Sequence, residues 1–214
     1  MVYHVLNRGV RRLGIFDKAG DYAAFEKVLT ETHGRFRCRV LSYCLMPNHW
    51  HLMLWPRTDG ELSEFMRILT VTHTQRWHAH RDTAGTGPLY QGRFKSFPVQ
   101  SDEHFLTIAR YVERNPVRAN LVDRAEDWKW SSLWRRRNGN AEQRAILSSW
   151  PVDGPRNWLQ RVNQAETDAE LESVRGCVGR GRPFGSTRWQ ILTANRLGLG
   201  ASLRPLGRPK KPVT

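Results

Sequence analysis

The chain has 214 residues, of which 39% are hydrophobic and 10% aromatic, and nine of them are Trp. So much bulky apolar material can bury a core, which excludes wholesale disorder. No apolar run is long enough to cross a bilayer, and residues 1–12 do not form a charged leader followed by an apolar stretch, so we expect a cytoplasmic protein. The formal net charge of +14 at pH 7 favours a polyanionic partner. Cys38, Cys44 and Cys177 have neither zinc-site nor CxxC spacing and are expected to be free thiols.

Strand and helix patterns alternate through the first half of the chain. Short runs of β-branched and aromatic residues predict strands, which cover residues 2–8, 36–46, 49–55 and 91–99. Apolar residues at helical spacing predict helices, which cover residues 21–33, 61–80 and 101–115. Asp21 and Ser101 are the expected N-caps of the first and third helices.

This order of elements predicts an α+β fold, a ferredoxin-like antiparallel sheet (βαββαβ) with helices on one face. The other face of such a sheet is open, and a nucleic acid can lie on it. We place this domain in residues 1–125 and a Trp- and Arg-rich helical extension in residues 126–172. Residues 173–214 form a basic segment rich in Gly, Pro and Arg, in which Ser186 is placed to cap one short helix.

The basic segment has nine Arg or Lys residues and no Asp or Glu. One interpretation is a solvated tail. The other is an arm that binds phosphates, because each cation that neutralises a phosphate adds salt-dependent affinity.

His49 and His51 are two residues apart on a predicted strand, so both side chains point to the same side. Two imidazoles side by side make half of a metal site. The alternative is a pair of histidines that only form hydrogen bonds on the surface of the sheet. His78 and His80 have the same spacing on a predicted helix, where their side chains diverge, so we expect a surface pair of no consequence.

Tyr111 lies on the predicted third helix, on a polar face that also carries Arg114, Asn115 and Arg118. A helical Tyr is ordinarily an amphipathic packing residue with a wet hydroxyl. Here Asn115, one turn away, offers an amide oxygen to a metal, and the two Arg could hold phosphate.

Three segments carry a resemblance to a known family: MPNHWHLMLWP, LYQGRFKSFPV and ARYVERNPVRANLV. Together they resemble the single-tyrosine transposases of the His-hydrophobic-His superfamily, and the REP-associated tyrosine transposases of bacteria in particular. The resemblance covers roughly residues 2–134. It implies an endonuclease and strand transferase that acts on single-stranded DNA at hairpin-forming repeats.

The resemblance also implies roles for individual residues. Tyr111 attacks a backbone phosphate and becomes linked to the 5′ phosphate. His49, His51 and Asn115 bind a divalent cation, Mg²⁺ or Mn²⁺, and Asn48 is a turn residue that supports the site. No nucleotide cofactor is expected, because the phosphotyrosine conserves the energy of the broken bond.

The expected partners are single-stranded or hairpin DNA from repeat elements near the protein's own gene, and no membrane. The chain would act in the nucleoid as a monomer or homodimer. The residues expected to contact DNA are all basic: Arg93, Lys95, Arg114, Arg118, Arg180, Arg182, Arg208, Lys210 and Lys211.

Two alternatives remain at this point. The first is a nucleic-acid-binding module without catalysis, which the basic tail and the predicted open sheet allow. The second is a nucleotide hydrolase of the histidine-triad kind, against which Met53 argues, because it stands where the third histidine should be.

Overall fold

The computed structural model describes residues 1–204. Four strands form one antiparallel sheet in the order β2-β3-β1-β4. They are β1 (Val2–Arg8), β2 (Arg39–Met46), β3 (His49–Trp55) and β4 (Lys95–Val99). The α+β class and the βαββαβ order are therefore confirmed. β2 and β4 begin later than the predicted ranges 36–46 and 91–99.

Ten α-helices complete the part of the chain that the structure describes. The three long helices of the N-terminal half are α1 (Ala19–His33), α2 (Glu61–His80) and α3 (Glu103–Glu113). The remaining helices follow α3 along the chain: α4 (Asn115–Arg118), α5 (Ser132–Asn138), α6 (Ala141–Ala145), α7 (Trp158–Asn163), α8 (Asp168–Arg180), α9 (Thr187–Arg196) and α10 (Gly200–Leu203). Between residues 1 and 204, no helix is long and apolar enough to cross a membrane.

Two N-caps differ from the prediction. The residue that caps α1 is Lys18, whereas Asp21 lies three residues into the helix and accepts hydrogen bonds from the backbone N–H groups of Asp17 and Lys18. Asp102 rather than Ser101 caps α3, by accepting from the N–H of His104. In both cases the helix begins where an aspartate carboxylate accepts hydrogen bonds from nearby backbone N–H groups.

The first face of the sheet packs against α1 and α2. Alternate strand residues such as Val5 and Trp50 meet Phe25 from α1 and Phe65 from α2 in one buried cluster. The sequence predicts all three long helices on one face, but only α1 and α2 lie on this one.

The second face is covered as well, so the prediction of an open sheet is wrong. Met53 and Phe97 from the strands pack against Phe105 of α3, and Val174 and Cys177 of α8 join the same cluster. The side chains on this face are largely apolar, and burying them is worth more than leaving them in water. A nucleic acid therefore does not lie across a bare sheet in this protein.

The C-terminal part of the chain is tied to the sheet rather than hanging from it. Backbone bridges join Val40 to Leu147 and Val99 to Phe184. The predicted short helix is confirmed as α9, and the Ser186 side chain caps it by accepting from the N–H of Trp189. Arg208, Lys210 and Lys211 lie outside the described residues.

Glu113, the last residue of α3, is fully buried and holds that helix against its neighbours. Its carboxylate accepts hydrogen bonds from Ser42 Oγ of β2 at 3.2 Å, Ser132 Oγ of α5 at 2.8 Å and Trp158 Nε1 of α7 at 2.9 Å. Burial raises the pKa of this carboxyl, while these donors act to lower it. One side chain thus joins α3, the sheet and the C-terminal extension.

We expect Glu113→Ala to lower the free energy of unfolding by about 3 kcal/mol, because two buried serine hydroxyls and the partly buried indole of Trp158 lose their acceptor. Urea unfolding followed by circular dichroism measures this loss. Glu103→Ala, on the same helix but with a side chain 77% exposed, is the matched control and should change stability by less than about 0.5 kcal/mol. Equal losses in the two variants would contradict the network.

Candidate active site

The site is built on the strand face that α3 covers. Antiparallel pairing sets His51 opposite Leu6 and His49 opposite Arg8. The rings of His49 and His51 have centroids 5.0 Å apart and planes at 87°. Trp50, between them in sequence, points to the opposite face and is buried in the cluster with α1 and α2. The predicted same-side placement of the two histidines is therefore what the strand produces.

His49 lies between two asparagine side chains. Its Nδ1 is 2.6 Å from Oδ1 of Asn48, the turn residue before it. A hydrogen bond with the side chain of Asn115, at the start of α4, raises the pKa of His49 against the larger effect of burial. The Nδ2 of Asn115 is buried and has no partner among the described residues.

His51 has a different partner, His4 of β1, which sequence reasoning missed. His4 is fully buried, and its Nε2 lies 2.9 Å from Nδ1 of His51. The two rings also stack, with centroids 5.0 Å apart. The available signal was positional: His4 alternates with Val5 on a predicted strand, as His49 and His51 alternate with Trp50, but nothing in the sequence shows which strands are neighbours.

Tyr111 reaches the histidines from α3. Its ring centroid is 5.8 Å from that of His51 and 6.3 Å from that of His4, in edge-to-face contacts in both cases. The residue is 9% exposed and belongs to the buried cluster, so the prediction that it lies on a polar face opposite the core is wrong. The reason is that α3 is buried on more than one side: Tyr111 faces the histidines of the sheet, while Phe105 and Glu113 meet Trp150 and Trp158 of the extension.

The arginines near Tyr111 are held by an acidic residue of the extension. The guanidinium of Arg118 lies 4.2 Å from the centre of the Tyr111 ring. Glu166 binds Arg118 at 2.7 Å and Arg114 at 3.0 Å. Two cations share one carboxylate, so this corner of the site keeps a net positive charge.

Burial makes the three histidines neutral. Desolvation lowers the pKa of His4 to about 3 and that of His49 to about 4, and it lowers the pKa of His51 well below its usual range. The positive charges of Arg8 and Arg118 act in the same direction on His49 and His51. Neutral imidazole is the form that offers a lone pair to a metal.

The donor set at His49 fits a cation. A neutral histidine donates one proton, and the side chains of both Asn48 and Asn115 interact with His49. If Nδ1 donates to Asn48, Nε2 keeps its lone pair, and a cation could be bound by this nitrogen together with the amide oxygen of Asn115. Over residues 1–204, no group of three or more His, Cys, Asp or Glu side chains is arranged to hold a metal, so an amide oxygen would complete the set of two histidines.

A basic pocket of about 320 Å³ is lined by Leu6 and Arg8, the β1 residues that pair with His51 and His49. Arg8, Arg93 and Lys95 line it, together with Val178 of α8. Arg93 and Lys95 are exposed, and within residues 1–204 none of the three cations forms an ion pair. Its volume is at the lower end of the range for small-molecule sites, which is about 300–1,000 Å³.

The other predicted basic residues lie elsewhere. Arg180, at the end of α8, is half-buried and donates to the backbone carbonyl of Ala201 at 3.3 Å. Arg182 is half-buried too, and its Nε has no partner among the described residues. His78 donates to or accepts from Thr83 at the end of α2 and His80 is exposed, which agrees with a pair that takes no part in the site.

The family model for IS200-like transposases matches residues 1–115. The chain therefore belongs to the IS200-like transposase family, and the resemblance seen in its three motifs is confirmed.

Two relatives are informative. A protein of Haemophilus influenzae named as a REP-associated tyrosine transposase is 22% identical over 119 residues, which are 52% of this chain and 68% of that protein. A solved structure of a REP-associated tyrosine transposase bound to a REP hairpin is similar with a TM-score of 0.52 and 15% identity, over 72% of this chain and 87% of that one. The second likeness supports the fold described above.

The lowered histidine pKa values predict acid sensitivity. The folded chain keeps His4, His49 and the buried His73 neutral, with the pKa of His73 lowered to about 3, whereas the unfolded chain protonates them below about pH 6.5. Unfolding therefore takes up protons, and the free energy of unfolding falls as the pH drops from 6.5 towards these lowered values.

Near pH 5 the slope should be about 1.4 kcal/mol per pH unit for each such histidine. Urea unfolding at several pH values in the presence of a chelator measures it. His73→Gln, remote from the candidate metal ligands, should reduce the slope by one histidine's share. A stability that is flat between pH 7 and 5 would contradict neutral buried histidines.

Proposed function

We propose that this protein is a metal-dependent tyrosine transposase that cleaves and rejoins single-stranded DNA at hairpin-forming repeats. The observation that carries the proposal is the approach of Tyr111, on α3, to His51, on β3, with ring centroids 5.8 Å apart. A phenol beside the neutral His51 suits nucleophilic attack on a phosphate, because His51 together with His49 could hold a cation that binds the same phosphate.

In the proposed reaction, Oη of Tyr111 attacks a backbone phosphorus atom and the bond from phosphorus to the 3′ oxygen breaks. The phenol loses a proton and the 3′ oxygen gains one, so the products are a 5′-phosphotyrosine and a free 3′ hydroxyl. A 3′ hydroxyl that attacks the phosphotyrosine reverses these changes and joins two strands.

The surroundings of Tyr111 support this role. The Arg118 guanidinium, 4.2 Å from the centre of the ring, puts positive charge where negative charge develops during the attack. Glu166 holds Arg118 and Arg114 in place at 2.7 and 3.0 Å. Fixing these cations beforehand reduces the reorganisation that the reaction requires.

His49, His51 and Asn115 would hold the cation, Mg²⁺ or Mn²⁺. When bound, it would act as a Lewis acid that polarises a phosphate oxygen. Asn48 would orient His49, because the hydrogen bond at 2.6 Å selects which ring nitrogen carries the proton.

Hairpin and single-stranded DNA are the proposed partners. The relatives are named for repeats of this kind, and the basic pocket of Arg8, Arg93 and Lys95 includes β1 residues that pair with the strand of His49 and His51. Arg93 and Lys95 would contact phosphates there. Arg114, Arg118, Arg180 and Arg182 would contribute positive potential around the site.

Tyr111→Phe should abolish covalent capture of DNA, because the attacking oxygen is removed while the ring that fills the cluster remains. The measurement is a denaturing gel of the full chain with Mn²⁺ and single-stranded oligonucleotides from repeats beside its gene. Tyr3→Phe, the same change on β1, should leave the adduct intact. DNA binding without an adduct in the unchanged protein would favour a binding module without catalysis.

Arg93→Gln with Lys95→Gln should weaken binding of single-stranded DNA and make it less sensitive to salt. Each lost phosphate contact lowers the slope of log affinity against log salt by about 0.7 for single strands. Fluorescence anisotropy on the Tyr111→Phe background measures binding apart from cleavage. Lys27→Gln, an exposed change on α1 at the opposite face of the sheet, is the control and should leave the slope unchanged.

A further inference from the structure

The contact between His4 and His51 is not used in the proposed cleavage reaction. His4 sits on β1 between Met53 of β3 and Phe97 of β4, and it is fully buried. It touches the site through one polar atom, Nε2, which is 2.9 Å from Nδ1 of His51. The rest of the ring packs on Phe97 with centroids 4.8 Å apart.

The proton in this contact has two possible positions. Either Nδ1 of His51 donates to Nε2 of His4, or Nε2 of His4 donates to Nδ1 of His51. In the first arrangement Nε2 of neutral His51 keeps its lone pair, whereas in the second the proton of His51 sits on Nε2 and blocks coordination there. Only the first arrangement allows His51 to bind a cation through Nε2.

Packing alone does not explain why a histidine occupies this position. Nδ1 of His4 is buried and has no hydrogen-bond partner among the described residues, which makes His4 a costly way to fill the space. The neighbouring strand positions on this face are filled by apolar residues such as Val2, Met53 and Phe97. We therefore attribute the polar ring of His4 to its other nitrogen, Nε2, which contacts His51.

We propose that His4 is a positioning residue whose Nε2 accepts a hydrogen bond from the Nδ1–H of His51 and thereby keeps the lone pair of His51 Nε2 available to the divalent cation. This inference rests on the proposed metal role of His51. Hydrogen-bond partners of this kind orient metal-binding histidines and fix their tautomer in other sites.

The test compares two substitutions at His4 in the full chain. His4→Phe keeps a ring but removes the acceptor, and His4→Gln can place its amide oxygen near the former Nε2. Mn²⁺ affinity is measured by the loss of the free-ion signal in electron paramagnetic resonance, on the Tyr111→Phe background and without DNA. His4→Phe should weaken Mn²⁺ binding 10- to 100-fold, and His4→Gln should restore most of it.

Phe97→Leu is the packing control, because it disturbs the apolar contact of His4 but leaves both nitrogens in place. It should bind Mn²⁺ as the unchanged protein does. Circular dichroism and thermal unfolding verify that each variant is folded. A folded His4→Phe protein with unaltered Mn²⁺ affinity, or an equal loss in His4→Phe and His4→Gln, would overturn the proposal.

A second readout separates this proposal from the proposed function. Two-bond nitrogen–proton spectra of the metal-free protein at pH 7, with ¹⁵N-labelled histidine, report which nitrogen of His51 is protonated. We expect Nδ1 in the unchanged protein and in His4→Gln, and a shift towards Nε2 in His4→Phe. A proton on Nε2 of His51 in the unchanged protein would overturn the role of His4 whatever the metal result. If the unchanged protein binds no Mn²⁺, the proposed metal chemistry fails, and the tautomer still decides whether His4 positions His51.

Discussion

The pairing register of β1 against β3 is the constraint on which the site depends. Leu6 lies opposite His51 and His4 opposite Met53, so His4, His49 and His51 share one face of the sheet. Side chains alternate along a strand, so a slip of one residue would turn the β1 side chains to the other face and separate His4 from His51. The same alternation puts Trp50 and Val5 into the core with α1 and α2, and their burial resists such a slip.

Packing on the second face of the sheet brings Tyr111 to the histidines that the strand register has placed together. α3 lies across the sheet because Phe105 and its neighbours bury themselves against Met53 and Phe97, and this carries Tyr111 to within 5.8 Å of the His51 ring. Glu113 then joins α3 to β2, α5 and α7 through buried hydrogen bonds. The extension therefore helps to hold α3, which carries Tyr111, against the sheet.

The same packing sets the electrostatics of the site. Removing water from His49 and His51, with Arg8 and Arg118 nearby, keeps both imidazoles neutral at physiological pH. The charged arginine and lysine side chains lie at the edges of the site. Glu166 binds Arg118 and Arg114 there, and Arg93 and Lys95 are exposed at the pocket. Neutral histidines therefore lie within a positively charged surround.

Much of this protein follows from the sequence alone. Alternation and helical spacing identify the strands and the long helices. The strand period puts His49 and His51 on one side, and the three motifs identify the transposase family. These properties are local or are carried by contiguous segments, so no distant contact is needed to infer them.

Tertiary structure determined the other features of the site, because those features depend on which distant segments of the chain come into contact. The helical pattern predicts a polar face for Tyr111, since the sequence does not show that the sheet buries one side of α3 and the extension another. His4 was missed, since its partner is 47 positions away along the chain. Glu166 binds Arg118 from 48 positions away for the same reason. Each of these contacts joins residues far apart in the chain, and only the packing of both faces of the sheet brings them together.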